Sequence, residues 1–575
     1  MRILGIESTA HTFGAGIVLD GKIVSNVRNM YVPDKGGIHP REAADHHVKV
    51  GVDVVRRSLE EASIEPGDLD LVAFSRGPGL GPCLRVGATI ARVMSLQNGI
   101  PIIGANHCVA HLEIGELLGA EDPVLLYTSG GNTQVIAFVK RRYRVMGETL
   151  DIGIGNMLDK LGREMGIPFP AGPKIELLAR GEAVPGVKGA SGEEDPEFLE
   201  LPYSVKGMDM SFSGVLTAAL NLRRKGASIH SVCRSVQETC FSMLCEVTER
   251  AVAHIGAEEV LLGGGVACNS RLKEMVSIMA RERGAKSFAP PPSLAVDNGA
   301  MIAYLGERMY LGGARHELKD TIIDQKFRTD QVEVIWKKER EIMSIHTPGT
   351  VEMRAGTLPG EGEIIGKGAE AVITRRDVGD IPAVEKFRVP KGYRVKDLEG
   401  RLKRYRTRNE ARMLGNMRSN SVRTPYVLDA DPEEGILLME LLPGPRLASV
   451  LNTWNRSEQM DALFLMGKMI GDVHFRDMVH GDLTTSNFIV LPEGNGSGLG
   501  LIDMSLSERT EEIEKKGVDL RLFFEVFHST HGALSPIEES FWEGYRSSNR
   551  DHDVVKKKMR DIDRRGRYLS ERWTQ

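Results

Sequence analysis

Short apolar runs separated by small polar turns open the chain: Ile3-Leu4-Gly5-Ile6, a hydroxyl-rich turn from Glu7 to Thr12, then Phe13-Gly14-Ala15-Gly16-Ile17-Val18-Leu19. That pattern predicts a β-hairpin. The plan returns about 120 residues later as Val124 to Tyr127, the turn Thr128-Ser129-Gly130-Gly131-Asn132-Thr133, and Gln134 to Val139, which predicts a duplicated domain. Between the hairpins come a helical pattern from Val48 to Ala62, a strand from Leu71 to Phe74, a glycine-proline loop from Arg76 to Pro82 and a helix through Val86 to Leu96. This alternation means an α/β sheet. Ile100 to Ile103 then leads into a helix opening at Asn106-His107-Cys108-Val109-Ala110-His111, and Val260 to Asn269 is a strand ending in three glycines before a helix from Ser270 to Met279. A further helix is expected from Asn298 to Tyr310.

The pattern changes after Gln325-Lys326-Phe327-Arg328. A short strand is expected up to Trp336, and Glu339 to Gly362, with Pro348-Gly349 and Pro359-Gly360, lacks periodicity and reads as a linker. Ile365 to Ile373 is then a glycine-rich turn between strands, Lys386 lies on the next strand, and Glu410 lies in a helix over Arg408 to Met413. His480-Gly481-Asp482-Leu483-Thr484-Thr485-Ser486-Asn487 precedes Leu501-Ile502-Asp503, and a helix is expected from Glu508 to Phe527.

At 575 residues, 41% hydrophobic and 27% charged, the chain is long enough for two to four cores of ordinary globular composition. No apolar stretch approaches the roughly 20 residues that cross a bilayer, and the sequence opens on a strand rather than an export signal. The six cysteines form no CxxC pair, which argues for a reducing compartment and against a zinc ribbon. A cytoplasmic protein is expected. The net charge of −5 is unevenly spread: Lys386 to Arg423 holds 13 basic against 3 acidic residues, and Lys556 to Arg572 holds 8 against 3. Two basic stretches in an acidic chain point either to an anionic partner such as RNA or to solvated helix faces.

Three features carry chemistry. His107 and His111, four apart on one helix, place both imidazoles on one face, where they can converge on a metal. Two half-buried helix histidines bonded to backbone are the plain alternative. The glycine, serine and threonine turns present bare N–H groups and hydroxyls suited to phosphate, and Gly263-Gly264-Gly265 leaves room for a flat base against the backbone. A zinc peptidase would need glutamate after the first histidine; Cys108 stands there.

The order of these loops, Gly36-Gly37-Ile38-His39-Pro40-Arg41-Glu42-Ala43-Ala44, the histidine pair and Ser129-Gly130-Gly131-Asn132-Thr133 resemble the universal tRNA threonylcarbamoyl transferase family, the KEOPS catalytic subunit of archaea and eukaryotes, over about residues 1 to 328. The resemblance implies an actin-like ATPase fold of two ribonuclease-H-like lobes. It implies transfer of the threonylcarbamoyl group from threonylcarbamoyl-adenylate to the exocyclic amine of the adenine beside the tRNA anticodon, with release of AMP. It also implies a metal held by His107, His111, Tyr127 and Asp297, iron in this family, although two imidazoles with mixed oxygen donors suit zinc as well. Asp297 could instead cap the helix that follows it. The implied ligand contacts are Tyr127, Thr128, Ser129, Gly130, Gly131, Asp159, Gly172, Glu176 and Asn269. Glu7 stands where sugar kinases and heat-shock ATPases of this fold carry Asp, which weakens an ATP-hydrolysing reading of this half.

The second half resembles a protein kinase, and His480-Gly481-Asp482 is similar to the small KEOPS kinase family specifically, over about residues 360 to 575. The resemblance implies a small α+β bilobal domain in which Gly366, Lys367, Gly368, Ala369, Glu370, Lys386 and Glu410 bind ATP, Asp482 accepts a proton, and Asn487 and Asp503 hold magnesium. Asp503-Met504-Ser505 replaces Asp-Phe-Gly and no Ala-Pro-Glu follows, which favours ATP hydrolysis or autophosphorylation over general protein phosphorylation. The expected organisation is a transferase domain over 1–328, a linker over 329–362 and a kinase-like ATPase over 363–575. Expected partners are tRNA, threonylcarbamoyl-adenylate, ATP and other small KEOPS subunits, with no membrane. The rival expectation is a regulatory kinase or scaffold whose first half only binds nucleotide.

Overall fold

A computed structural model describes residues 1–33, 38–337, 362–419, 422–492 and 498–566. Most of the expected linker, 338–361, and the glycines at 36 and 37 lie outside the described residues. The chain divides into two compact units: Met1–Pro202, Phe212–Phe241 and Ala257–Glu341 form the first, and Tyr203–Ser211, Ser242–Gly256 and Ile342–Gln575 the second.

The first unit runs β1 (Arg2–Glu7), β2 (Thr12–Leu19), β3 (Lys22–Met30), α1 (Pro40–Ala62), β4 (Leu71–Gly77), α2 (Gly81–Asn98), β5 (Ile102–Asn106), α3 (His107–Glu113), β6 (Val124–Thr128), β7 (Thr133–Val139), β8 (Arg142–Glu148), α4 (Ile154–Met165) and α5 (Gly172–Ala179). The hairpin β9 (Val205–Lys206) and β10 (Asp209–Met210), which belongs to the second unit, comes next in the chain; then follow α6 (Ser213–Arg224), α7 (Ile229–Ile255), whose residues from Ser242 onward also belong to the second unit, β11 (Glu259–Gly263), α8 (Ser270–Glu282), β12 (Lys286–Phe288), α9 (Pro292–Ala295) and α10 (Gly299–Leu311). The two sheets have the same plan, β3-β2-β1-β4-β5 and β8-β7-β6-β11-β12, each an antiparallel hairpin joined to parallel strands. The repeat in the sequence is thus a repeat in topology. Helix α1 begins eight residues before the apolar periodicity at Val48, because Pro40 at its first turn needs no hydrogen-bonding partner for a missing N–H.

Helix α10 decides where the site lies. An added Cβ at Gly5 would meet Ala303 N at 2.2 Å, and one at Gly16 would meet Ala300 N at 2.4 Å, so the helix rests directly on the backbone of β1 and β2. Ile3, Val18, Leu71 and Ala73 pack with Ile302 and Leu305 on that face, while Leu4, Ile6 and Phe13 meet Val54 and Ala88 on the other. The strand expected before Trp336 does not form. Thr329–Gln331 is one 3₁₀ turn, and Val332 and Val334 continue as irregular chain with both side chains buried. Side-chain packing, without a neighbouring strand edge, satisfies that alternation.

The second unit builds the sheet β13 (Ile364–Lys367), β14 (Ala371–Arg375), β15 (Ala383–Arg388), β17 (Ile436–Glu440) and β16 (Val427–Asp431), in that spatial order, with α11 (Lys396–Ser419) between β15 and β16 in sequence. A mainly helical part follows: α12 (Leu447–Val450), α13 (Arg456–Phe475), β18 (Met478–Val479), β19 (Phe488–Val490), β20 (Leu499–Leu501), β21 (Glu508–Arg509), α14 (Ile513–His531), α15 (Glu538–Ser548) and α16 (His552–Gly566). The helix expected from Glu508 starts at Ile513, because Glu508 and Arg509 pair with Val479 and Met478 as a short ladder. Among the described residues no helix is long and apolar enough to cross a membrane.

Candidate functional site

In the first unit Asn106, the last residue of β5, caps α3 by accepting from the N–H of Cys108 and Val109 at 3.0 and 3.1 Å. That cap starts a seven-residue helix buried throughout, so His107 and His111 project into the interior, their ring centroids 4.8 Å apart. Tyr127 on β6 offers its phenol to His107 Nε2 at 2.9 Å. Asp297 Oδ1 lies 3.5 Å from His107 Nε2 and 3.4 Å from His111 Nε2. The cap of α10 falls to Asn298, whose side chain accepts from Met301 N–H at 3.0 Å, and this leaves the Asp297 carboxylate for the cluster. The simple capping reading of Asp297 is thereby replaced.

The electrostatics follow from burial among opposite charges. Burial opposes ionisation of His107, but Glu7 and Asp297 beside it win and raise its pKa to about 9. Burial pushes His111 down. Burial alone would push Asp297 up, yet the two imidazoles hold it well below the usual carboxylate range. Neither ring nitrogen of the buried His111 makes a hydrogen bond. Two imidazoles, a phenol and a carboxylate converging on one point, one imidazole without a hydrogen bond, fit a bound metal ion.

The glycine-rich elements meet next to this cluster. Thr128 directly follows Tyr127 and donates to Gly263 O at 3.2 Å; Ser129 N–H donates to Asn132 O at 2.8 Å and closes the turn around Gly130 and Gly131. Gly264 has φ +89°, and a Cβ there would meet Thr128 O at 2.5 Å, so only glycine lets β11 approach this turn. The other expected contacts gather at α5. Asp159 accepts from Ala171 N–H at 2.9 Å just before Gly172, and burial raises its pKa. Glu176 accepts from Ser270 N–H at 3.0 Å, and Asn269 caps α8 while its amide donates to Gln237 at 3.0 Å. Asp159, Glu176 and Asn269 therefore already brace the loops they belong to.

The second unit brings together residues that the sequence analysis expects to bind ATP and magnesium. Lys386 Nζ lies 2.8 Å from both Glu410 and Asp503, and Asn487 donates to Asp482 O at 2.7 Å. Burial would lower the Lys386 pKa, but Asp503 and Glu410 raise it; burial raises that of Asp482, against Arg250. The turn Gly366-Lys367-Gly368-Ala369-Glu370 is closed by Gly368 N–H to Ala371 O at 2.9 Å, and Glu370 is bound by Arg250, Arg388 and Arg406. Arg250, in the segment Ser242–Gly256 that belongs to this unit, also lies 3.0 Å from Asp482.

Burial takes five of the thirteen basic residues of Lys386–Arg423 out of any open face; the other eight, Arg401, Lys403, Arg404, Arg408 and Arg412 among them, are half-buried or exposed. Lys386, Arg388, Lys391, Arg394 and Arg406 are buried, and Arg394 and Arg406 both bind Glu246 while Lys391 binds Glu249 at 2.6 Å. The acids that neutralise this run stand about 150 residues earlier in the sequence. Glu246, Glu249 and Arg250 were not singled out from the sequence; charged residues inside the apolar helical run Phe241 to Val252 were the available signal.

A family model described as tRNA N6-adenosine threonylcarbamoyltransferase matches residues 22–304. The bifunctional tRNA threonylcarbamoyladenosine biosynthesis protein of Methanosarcina mazei is 45% identical over 571 residues, covering 98% of this chain and 99% of its own. That of Methanocaldococcus jannaschii is 42% identical over 572 residues, covering 99% of this chain and all of its own, at 100%. A full-length HypF structure covers 55% of this chain and 56% of its own at 12% identity and a TM-score of 0.38, which is too distant to bear on the site. With full-length relatives at that identity, the chain belongs to the bifunctional tRNA threonylcarbamoyladenosine biosynthesis family, its first half a tRNA N6-adenosine threonylcarbamoyltransferase domain.

Proposed function

We propose that the first half, residues 1–328, transfers the threonylcarbamoyl group of threonylcarbamoyl-adenylate to the exocyclic amine of the adenosine beside the anticodon, in tRNAs reading codons that begin with A. The fold would be of the actin-like ATPase class with two ribonuclease-H-like lobes. The observation that carries this reading is the convergence of His107, His111, Tyr127 and Asp297 where Tyr127 runs directly into the Thr128–Gly131 turn. These four residues would hold Fe2+, with Zn2+ as the other metal the donor set suits. Such an ion polarises an acyl oxygen when bound. Backbone N–H groups of Ser129, Gly130 and Gly131 and the Thr128 side chain would orient the acyl-phosphate end, while Asp159, Gly172, Glu176 and Asn269 shape the nucleoside side. Holding the acyl carbon against the amine supplies most of the remaining catalysis, because AMP is already a good leaving group.

Residues 363–575 are read as a small kinase-like ATPase joined by the linker 329–362. The ion pairs of Lys386 with Glu410 and Asp503 support ATP binding, and the Asn487 amide, donating to Asp482, leaves its carbonyl oxygen for Mg2+ beside Asp503. Asp503-Met504-Ser505 without a following Ala-Pro-Glu segment supports hydrolysis of ATP over phosphorylation of proteins. ATP turnover in this half would drive or reset the transfer cycle, in the cytoplasm and with other small KEOPS subunits.

The test supplies unmodified tRNA, labelled threonine, bicarbonate, ATP, the enzyme that makes threonylcarbamoyl-adenylate and the small subunits. Label in tRNA with the wild-type chain that disappears with His107→Ala is the expected result. Loss with Asp482→Ala as well assigns the drive to the second half. Phosphate release from ATP without label under any condition would instead favour a regulatory kinase or scaffold.

A further inference from the structure

We infer that Glu7 is a positioning residue for the metal cluster, one that fixes the His107 ring and ties it to the first hairpin loop. Glu7 ends β1 and is fully buried. Its Oε2 lies 2.9 Å from His107 Nδ1, and its Oε1 accepts from Thr9 N–H at 2.6 Å. A carboxylate at this place only accepts, so Nδ1 carries a proton and Nε2 is the nitrogen turned to Tyr127 and Asp297. Both carboxylate oxygens are thus engaged.

The contacts continue outward from Glu7. Thr9 O accepts from Leu80 N–H at 2.7 Å, and Ser8 N–H donates to Ser75 Oγ at 3.0 Å, which anchors the hairpin loop to β4 and the glycine-proline loop after it. Through Glu7, His107 is therefore tied to the first hairpin loop, to β4 and to the glycine-proline loop, whereas His111 meets the cluster through Asp297, 3.4 Å from its Nε2.

The inference rests on the metal reading above, and the test separates the two. Metal-free full-length protein is titrated with Zn2+ against a chromophoric chelator, comparing wild type with Glu7→Gln and Glu7→Asp. Glutamine keeps the size, but if its carbonyl accepts from Nδ1–H its amino group faces the Thr9 N–H. Aspartate keeps the charge but is one methylene too short to reach both partners. Both substitutions are expected to weaken Zn2+ binding about 10- to 100-fold, and at saturating metal to lower kcat with the KM for tRNA little changed. A merely structural role would lower the thermal midpoint of the metal-free protein and leave Zn2+ affinity unaltered. Wild-type binding that both substitutions leave unaltered overturns this inference alone. If the wild-type chain binds no Zn2+, the metal reading falls and this inference with it.

Discussion

Each unit buries a cluster of charge, and the two are balanced in opposite ways. In the first unit Glu7 and Asp297 face two imidazoles and a phenol, and His111 keeps two nitrogens without hydrogen bonds. In the second unit Glu246, Glu370, Glu410, Asp482 and Asp503 are matched by Arg250, Arg388, Arg394, Arg406 and Lys386 through direct ion pairs. Buried charge costs several kcal/mol per ion unless it is paired. The second cluster meets that cost within the chain, and the first leaves part of it to a ligand. Removing a residue from the first should therefore cost chemistry, and removing an arginine from the second should cost stability.

The largest expected effect breaks the first cluster. His111→Ala should reduce tRNA modification about a thousandfold or more, because a lost ligand forfeits several kcal/mol of transition-state stabilisation. ATP turnover by the second unit should persist in that variant. Retention of modification would remove the cluster from the reaction.

Next comes Arg250→Met, which leaves Glu246, Glu370 and Asp482 short of a cation. Breaking a buried pair from one side costs about 3–5 kcal/mol. Amide hydrogen exchange in α11 and β15 should accelerate accordingly, while α3 keeps its protection. Adding Glu370→Gln should recover part of the loss. Equal protection with and without Arg250 would mean that the network is not what stabilises this unit.

A smaller effect concerns an uncompensated histidine. His47 is buried against Phe13 and its pKa is pushed down to about 4 by burial, with His46 and His11 adding repulsion. The fold prefers the neutral ring, so its contribution is fully present above the unfolded value near 6.5 and is lost as pH falls towards 4. About 3 kcal/mol is at stake. Protection factors in α1, each rate taken relative to the intrinsic exchange rate at the same pH, should therefore be lower at pH 4.5 than at 7.5 in the wild type, and His47→Gln should remove that part of the difference. An identical pH profile in both proteins would sink the idea.

What could be read from the sequence was local. The hairpins, the three glycine-rich loops and the His107/His111 pair depend on periods of two residues, on turn chemistry and on a spacing of four, all contained in short windows. The start of α10 shows the limit: Asp297 and Asn298 are both good caps, and the cap falls to Asn298 while Asp297 faces histidines nearly 200 residues earlier in the chain. The Glu7–His107 bond joins residues 100 apart, and no periodicity reports such a pairing. The buried part of the basic run is hidden from the sequence for the same reason. Arg394 and Arg406 look solvated until Glu246, about 150 residues earlier, is brought against them.

The smallest effect tests how finely the first cluster is positioned. Asn298 does two things: its side-chain oxygen accepts from Met301 N–H at 3.0 Å, and its amide donates to Val296 O at 2.8 Å and to Leu294 O at 3.2 Å. The first starts α10; the second ties down the backbone on the other side of Asp297. Asn298→Ala removes both and should cost about 1 kcal/mol of stability, the usual worth of a cap. Asn298→Ser keeps an oxygen that can cap the helix but loses the amide donors. If those donors fix Asp297, serine should recover most of the stability while Zn2+ affinity stays several-fold weaker than wild type, as in alanine. Recovery of stability and affinity together would mean that the cap alone positions Asp297, and that the two donor bonds contribute nothing to the cluster.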